Sequence, residues 1–203
     1  MGLVTSLFVR KVVAAAGAGI DQCAVLRSVG IDPTSPVDPK VMLEDTVYYD
    51  MIEGLAGQID LTQLPLRTGA SMRCDDYGAL GLAFKAAPTL QGSYTRVARY
   101  ARLWTSVVEY ELQPEGEDTW FLVHRTGARR LGLRFSNEAT LASSVAIARE
   151  VSPTGNFSPL EVHLKHAQPK DISGHAAYFG AKVYFGSDTD ALLISAKSMA
   201  AET

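Results

Sequence analysis

Residues 89–104 show the most regular hydrophobic pattern in the chain. Their apolar and aromatic side chains recur at intervals that place them on one face of an α-helix: Leu90, Tyr94, Val97, Ala98, Ala101 and Trp104. Thr89 stands immediately before this run, where its hydroxyl group can cap the helix. The pattern therefore predicts a helix over 89–104, and we expect this helix to be the main packing element of the fold.

The remainder of the first half is predicted to be mostly helical. Between residues 5 and 30, capping side chains precede two apolar runs and glycines follow them, which indicates two short helices. The prolines within 31–40 favour a surface loop. After this loop Asp45 can cap a third helix, and a shorter helix is expected over 66–72.

After Trp104 the apolar residues alternate with polar ones, and this period of two indicates β-strands. The alternation predicts a three-stranded antiparallel meander and then three further strands: 108–112, 120–125 and 131–135 in the meander, followed by 160–164, 182–185 and 191–196. Helices are expected from Ser136 to Val151 and over 173–179.

These elements together predict an α+β fold in a single domain over 1–203. An N-terminal helical layer, residues 1–106, would pack on a mixed or antiparallel sheet of about five strands in residues 107–203. A chain of 203 residues can bury a sizeable core, and 47% hydrophobic residues with 20% charged residues are ordinary for a soluble globular protein.

The charge balance argues against nucleic-acid binding by this chain itself. The formal net charge is −3, whereas a DNA-reading domain needs a basic face. The only basic stripe on the helix over 89–104 is Arg96, Arg99 and Arg102, which we interpret as a solvated surface. No apolar run approaches the ~18–20 residues of a membrane span, and two isolated cysteines are typical of a reducing compartment. We therefore expect a cytoplasmic protein without membrane contact.

No motif for catalysis or metal binding stands out. The chain has no nucleophile motif and no phosphate-binding loop, and Cys23 and Cys74 lack the spacing of zinc or redox sites. His163 and His166 lie three residues apart on a predicted strand, so they point to opposite faces and do not form a metal-ligand pair. We expect no catalytic residue, no metal and no cofactor.

Side chains at the predicted boundary between helices and sheet are candidates for binding a small molecule. Tyr110 and Trp120 combine apolar area with a polar group, although such residues also occur simply as core. His124 and His166 are predicted to face inward, where a buried polar group needs a partner from the protein or from a ligand.

Two ordered motifs carry a family resemblance. The first is a G-x-L-G-x-A segment followed by a T-L pair and a helix with a basic and aromatic end: Gly78, Leu80, Gly81, Ala83, Thr89, Leu90, Arg99 and Tyr100. The second is the segment 162–169 (VHLKHAQP) with Gly180, Val183, Phe185 and Gly186 downstream. Over nearly its whole length the chain resembles the N-terminal, arabinose-binding-like domain of one branch of AraC/XylS-type transcription regulators.

The resemblance implies an effector-sensing domain that often also oligomerises; a homodimer is one candidate assembly, and the oligomeric state stays open. It implies that DNA is bound only through a C-terminal helix-turn-helix domain absent from this chain, so we expect a piece of a regulator or a stand-alone sensor. Similar proteins tend to carry tyrosine where this chain has His175. A histidine there would add a group that titrates near neutral pH, so His175 joins the candidate ligand-binding residues.

The leading hypothesis is a domain that senses an unidentified small-molecule effector, with the helix over 89–104 as the transmitting element. We expect Trp120→Ala or His124→Ala to weaken effector binding more than Arg99→Ala does. Two alternatives stay open. One is a stand-alone small-molecule-binding protein or enzyme that uses the boundary between helices and sheet, and the other is a dimerisation module without a ligand.

Overall fold

A five-stranded mixed sheet, a small two-stranded sheet and nine α-helices form the computed structural model, which describes residues 1–203. The helices are α1 Ser6–Ala16, α2 Gln22–Ser28, α3 Asp45–Leu55, α4 Leu64–Ala70, α5 Ala79–Lys85, α6 Leu90–Tyr100, α7 Leu131–Val151, α8 Ser173–Phe179 and α9 Ala196–Met199. The strands are β1 Leu3–Thr5, β2 Met42–Glu44, β3 Val108–Glu115, β4 Asp118–Arg125, β5 Glu161–His163, β6 Lys182–Tyr184 and β7 Asp190–Ile194. The predicted α+β fold is confirmed.

The larger sheet has the strand order β3-β4-β7-β5-β6. Neighbouring strands are antiparallel except β5 and β6, which are parallel. In the middle of the sheet Leu192 of β7 pairs with Phe121 of β4 and with Val162 of β5, and all three side chains are fully buried. The expectation of about five strands is therefore correct, and the sheet is mixed. A single cluster of 38 buried residues joins the helices of the first half to this sheet.

The segment 131–135, predicted as the third strand of a meander, forms the first turns of α7 instead. Leu131, Leu133 and Phe135 alternate as they would in a strand, but thirteen of the 21 residues of α7 are buried. A helix that is buried on most sides has no polar face, so its period of 3.6 is hidden in the sequence. Ser136, the predicted cap, lies inside the helix and donates a hydrogen bond to the carbonyl oxygen of Gly132 at 2.7 Å. The strand that pairs with β4 in place of the predicted one is β7.

Helix α6 confirms the prediction made for residues 89–104. The amide of Gly92 donates a hydrogen bond to the hydroxyl group of Thr89 at 3.2 Å, and a short 3-10 turn carries the chain from α6 to Trp104. Arg99 and Arg102 are exposed as expected, but Arg96 also donates to the backbone of α5. The main packing element is nevertheless α7, which contacts α3, α4, β4 and β7.

The glycine motif of residues 78–83 allows two backbones to touch. Gly78 has a positive φ of 53°, a conformation that residues with a side chain rarely adopt. At Gly81 in α5, an added Cβ atom would lie 1.6 Å from the carbonyl oxygen of Cys74. Because Cys74 is fully buried, neither backbone has room to move apart. The second glycine is therefore required for α5 to pack directly on the segment before it.

We predict that Gly81→Ala lowers the free energy of unfolding by at least about 1–3 kcal/mol, the usual cost of overpacking a core. Gly54→Ala is the matched control, because no atom lies within 4 Å of the position of its added Cβ. In the interior of a helix that exchange should be neutral or stabilise by up to about 1 kcal/mol. Urea denaturation of both variants measures the difference, and equal stabilities would contradict the close approach at Gly81.

Candidate functional site

An open cleft lies beside the N-terminal half of α7. It consists of two adjoining depressions of about 350 Å³ and about 780 Å³, which share Leu131, Arg134, His166 and Ala167 in their walls. We call these two depressions together the α7 cleft. Cavities of roughly 300–1,000 Å³ are typical of sites for small molecules. The α7 cleft is therefore large enough for an effector.

A buried carboxylate between two histidines forms one wall of the smaller depression. Glu138 of α7 is 4% exposed, and its two oxygens lie 2.8 Å from Nε2 of His166 and 2.6 Å from Nε2 of His175. His166 follows β5 and His175 lies in α8, so the carboxylate joins three parts of the chain. Charge on a buried carboxylate is tolerated because both of its oxygens accept hydrogen bonds.

The hydrogen bonds orient both rings. Nδ1 of His166 lies 3.0 Å from the carbonyl oxygen of Ala167, so both of its ring nitrogens face oxygen atoms, an arrangement that favours the doubly protonated ring. His175 contacts Glu138 through Nε2, whereas its buried Nδ1 has no partner within the protein. The smaller depression is therefore lined by a residue with one unpaired ring nitrogen.

The pKa values of the cluster follow from these contacts. Burial disfavours the charged form of His166, but the hydrogen bond and charge of Glu138 outweigh burial and raise the pKa of His166 above its ordinary value of 6.5. Burial also disfavours the ionised Glu138, but the hydrogen bonds from His166 and His175 outweigh it and lower the pKa of Glu138 below 4.5. Each partner therefore stabilises the charged form of the other.

The larger depression has five cations among its 14 lining residues. Arg125, Arg129, Arg134 and Lys165 lie in its wall, and none of them forms an ion pair with a carboxylate. A fifth cation, Arg130, is neutralised by Asp50 and Glu53 of α3, and its hydrogen bonds lower the pKa of Glu53 to about 2. This part of the cleft is thus positive, although the whole chain carries a net charge of −3.

Two small cavities lie between the helices and the sheet. Each has a volume of about 30 Å³, and Phe8, Tyr77, Tyr110 and Ser143 line both. A volume of this size suits about one water molecule. In this conformation the α7 cleft, and not the interior, offers space for an organic ligand.

The structure separates the five residues proposed from the sequence into three places. His166 and His175 meet at Glu138 in the α7 cleft. Tyr110 lines the two small cavities, and burial raises its pKa to about 12. Trp120 packs edge-on against His163 on the opposite face of the sheet, with ring centroids 4.9 Å apart.

The inward orientation predicted for His124 is wrong. Its side chain is 48% exposed, and Nε2 lies 2.9 Å from a carboxylate oxygen of Glu111 on β3. The residues of β4 that face the helices are the odd-numbered ones, because Phe121 packs on Tyr94 of α6 and Arg125 bonds to α7. Three consecutive apolar residues, 121–123, hid this alternation. Ligand contacts by Trp120 and His124 stay a prediction.

Sequence reasoning missed Glu138, Arg125 and Arg134. The signal for Glu138 was a lone acidic residue among apolar and small residues within 135–145. A carboxylate in such a run requires buried partners. Arg125 and Arg134 gave no comparable signal, because basic residues at the ends of elements are usually solvated.

The comparisons with known proteins agree with this architecture. Residues 19–202 match the family described as the N-terminal arabinose-binding domain of AraC transcription regulators, and the chain belongs to this family. The crystal structure of the transcriptional regulator CdpR from Pseudomonas aeruginosa has a similar fold, with a TM-score of 0.65 and 16% sequence identity. The similarity covers 97% of this chain and 57% of the CdpR chain, so this chain spans little more than half of that regulator. The curated proteins contain no match.

The family assignment makes the chain a regulatory domain of the ligand-sensing kind. The resemblance noted in the glycine motif and in the segment 162–169 is thereby confirmed. No helix of the structure combines the length and the apolar character needed to cross a membrane.

We predict a specific pH dependence for the Glu138 cluster. The raised pKa of His166 adds stability that is complete below pH 6.5 and is lost as the pH rises through the folded-state value. The lowered pKa of Glu138 adds stability that is complete above pH 4.5 and is lost as the pH falls. Glu138→Gln should therefore cost most between pH 4.5 and 6.5, on the order of 1–3 kcal/mol, and less at higher pH.

Urea denaturation across this pH range tests the prediction. Glu161→Gln is the control, because Glu161 also lies 2.9 Å from a histidine, His163, but is half-buried at the edge of its strand. The control should keep the pH profile of the unmodified protein. A constant difference between Glu138→Gln and the unmodified protein from pH 4.5 to 8 would refute the charged pair.

Proposed function

We propose that residues 1–203 act as one effector-sensing domain of an AraC-type transcription regulator and that the α7 cleft binds the effector. The observation that carries the proposal is the smaller depression of about 350 Å³, which is lined by His166, His175 and the buried Glu138. The buried Nδ1 atom of His175 has no partner within the protein, and a buried polar atom without a partner costs about 1–3 kcal/mol. A ligand that reaches this nitrogen recovers that cost, so we propose His175, with His166 beside it, as the specificity groups.

Binding rather than catalysis suits the chemistry of the cleft. Both oxygens of Glu138 and both ring nitrogens of His166 already have hydrogen-bond partners within the protein. Neither residue is therefore poised to take a proton from a substrate. An effector bound here would act by a difference in its affinity for two conformations of the domain.

Helix α7 is the proposed route of transmission, in place of α6. It lines the effector cleft with its N-terminal half and contacts α3, α4 and the sheet along its length. DNA binding belongs, in this proposal, to another part of a longer regulator. This division of roles agrees with the net negative charge of this chain and with the similarity covering only 57% of the CdpR chain.

A homodimer is the second candidate role, and two exposed leucines favour it. Leu82 of α5 is 69% exposed and Leu103, just after α6, is 64% exposed. A second copy of the chain is a partner that could cover such groups. We expect Leu82→Glu with Leu103→Glu to convert a dimer to a monomer in sedimentation equilibrium while the chain still unfolds cooperatively. An unmodified chain that is monomeric at all concentrations would exclude this role.

The effector proposal is tested by thermal shift and calorimetry with sugars, amino acids, organic acids and aromatic alcohols. A ligand at 100 times its dissociation constant should stabilise the domain by about 2.7 kcal/mol, which corresponds to several degrees. We predict that His175→Gln weakens the binding of a ligand found in this screen about tenfold. The glutamine amide can still donate to Glu138, but the unpaired ring nitrogen Nδ1 is lost.

The matched control is His124→Gln at the exposed position on β4. It should change the dissociation constant by less than twofold. Binding that resists His175→Gln but falls with His124→Gln or Trp120→Ala would place the effector on the other face of the sheet. Cooperative unfolding of each variant must be verified first, because His175 is only 1% exposed.

A further inference from the structure

One arginine in the wall of the α7 cleft is half-buried without a counterion. Arg125 is the last residue of β4. It lines both the larger depression and one of the two small cavities, so it lies between them. Its guanidinium group donates to the amide oxygen of Asn137 at 2.7 Å and to the hydroxyl groups of Thr140 at 3.2 Å and Tyr49 at 3.4 Å. All three acceptors are neutral. The positive charge of Arg125 is held in place but is not compensated.

The hydrogen bonds leave part of the guanidinium group free. A guanidinium has five N–H groups, and the three acceptors occupy one on each of its nitrogens. One N–H group therefore remains on each terminal nitrogen, and guanidinium N–H groups of this kind donate to the oxygens of a carboxylate or a phosphate. Because Arg125 is already oriented, little side-chain freedom is lost when an oxyanion binds.

The acidic residues in the same wall do not pair with Arg125. Asp190 is buried, and its two oxygens accept hydrogen bonds from the side chain of Asn137 and the backbone amide of Lys165, so it is connected to Arg125 only through Asn137. Asp188 lies in the same wall and makes no ion pair, and these two acids face four cations without a counterion. The larger depression therefore keeps an excess of positive charge that faces a space of about 780 Å³.

We propose that the effector of the α7 cleft is a small anion whose carboxylate or phosphate group pairs with Arg125. Arg134 and Lys165 add long-range attraction and draw the anion into the cleft, as surface cations do around concave sites. This inference rests on the proposed function and names the chemical class of its ligand. Neutral sugars and hydrophobic alcohols do not compensate the charge of Arg125 and should bind poorly.

The experiment uses the whole chain and three kinds of probe at constant ionic strength. The carboxylates are succinate, citrate and benzoate; the phosphates are inorganic phosphate and glycerol 3-phosphate; the neutral controls are succinamide and benzamide. We expect at least one anion to raise the melting temperature by several degrees while its neutral counterpart has no effect. The two anion groups distinguish a carboxylate effector from a phosphate effector.

Substitutions then locate the anion. Arg125→Met should weaken the binding of the best anion 30-fold or more, and Arg125→Lys should weaken it less because the charge is kept but the guanidinium group is lost. Arg134→Met changes an exposed side chain in the same cleft and should weaken binding three- to tenfold even if Arg125→Met folds poorly. Arg99→Met, an exposed cation on α6, is the control and should change the dissociation constant by less than twofold.

Several results would overturn the inference. They are the absence of any anion among the hits, equal binding of a neutral counterpart, and an unchanged dissociation constant in both Arg125→Met and Arg134→Met. Equal losses in Arg99→Met would indicate unspecific attraction and would also overturn it. If a neutral compound binds and is weakened by His175→Gln, the anion inference fails while the proposed effector function stands. If no compound of any class binds, both fail.

Discussion

Two adjacent buried polar residues of α7, Asn137 and Glu138, tie the central helix to the rest of the molecule. Asn137 accepts from Arg125 at the end of β4 and donates to Asp190 at the start of β7. Glu138 accepts hydrogen bonds from His166, which follows β5, and from His175 in α8. A helix buried on most sides needs such contacts, because each unpaired polar group in a core costs about 1–3 kcal/mol.

The same contacts build the α7 cleft. The side chains that hold α7 in place also form its wall, so a ligand in the cleft touches the network that positions the helix. Networks of this kind have few alternative arrangements, because every member must keep its partners. This explains how a small molecule at one end of α7 would bias the position of the whole helix rather than of a single side chain.

The sequence predicted the fold where one face of an element is solvated. Helix α6, its cap at Thr89 and strand β3 followed from periodicity and capping. Prediction failed where polar contrast is missing. The apolar residues within 131–135 fit both a strand and a buried helix, so the predicted start of α7 was too late. Residues 121–123 are all apolar and hide the alternation of β4, so His124 was predicted to face inward.

The candidate site could be predicted only in part for a related reason. His166 and His175 stood out as polar residues within apolar surroundings, but Glu138 and Arg125 acquire their roles from partners far away in the sequence. The distance between Glu138 and His175 is 37 residues along the chain, and that between Tyr49 and Arg125 is 76. Pairings at such separations depend on the topology of the sheet, which periodicity does not reveal.

The contact between Gly81 and the backbone of Cys74 has a mechanical consequence. The amide of Cys74 also donates to Glu150 near the C-terminal end of α7, at 2.9 Å. Helix α7 is thus linked to α5 through the side chain of Glu150 and then through a contact of backbone on backbone. Flexible side chains absorb small displacements by changing rotamer, and in this link only Glu150 can do so, because the contact between Gly81 and Cys74 contains no side chain. Glu150 is therefore the one compliant part of the connection between the two helices.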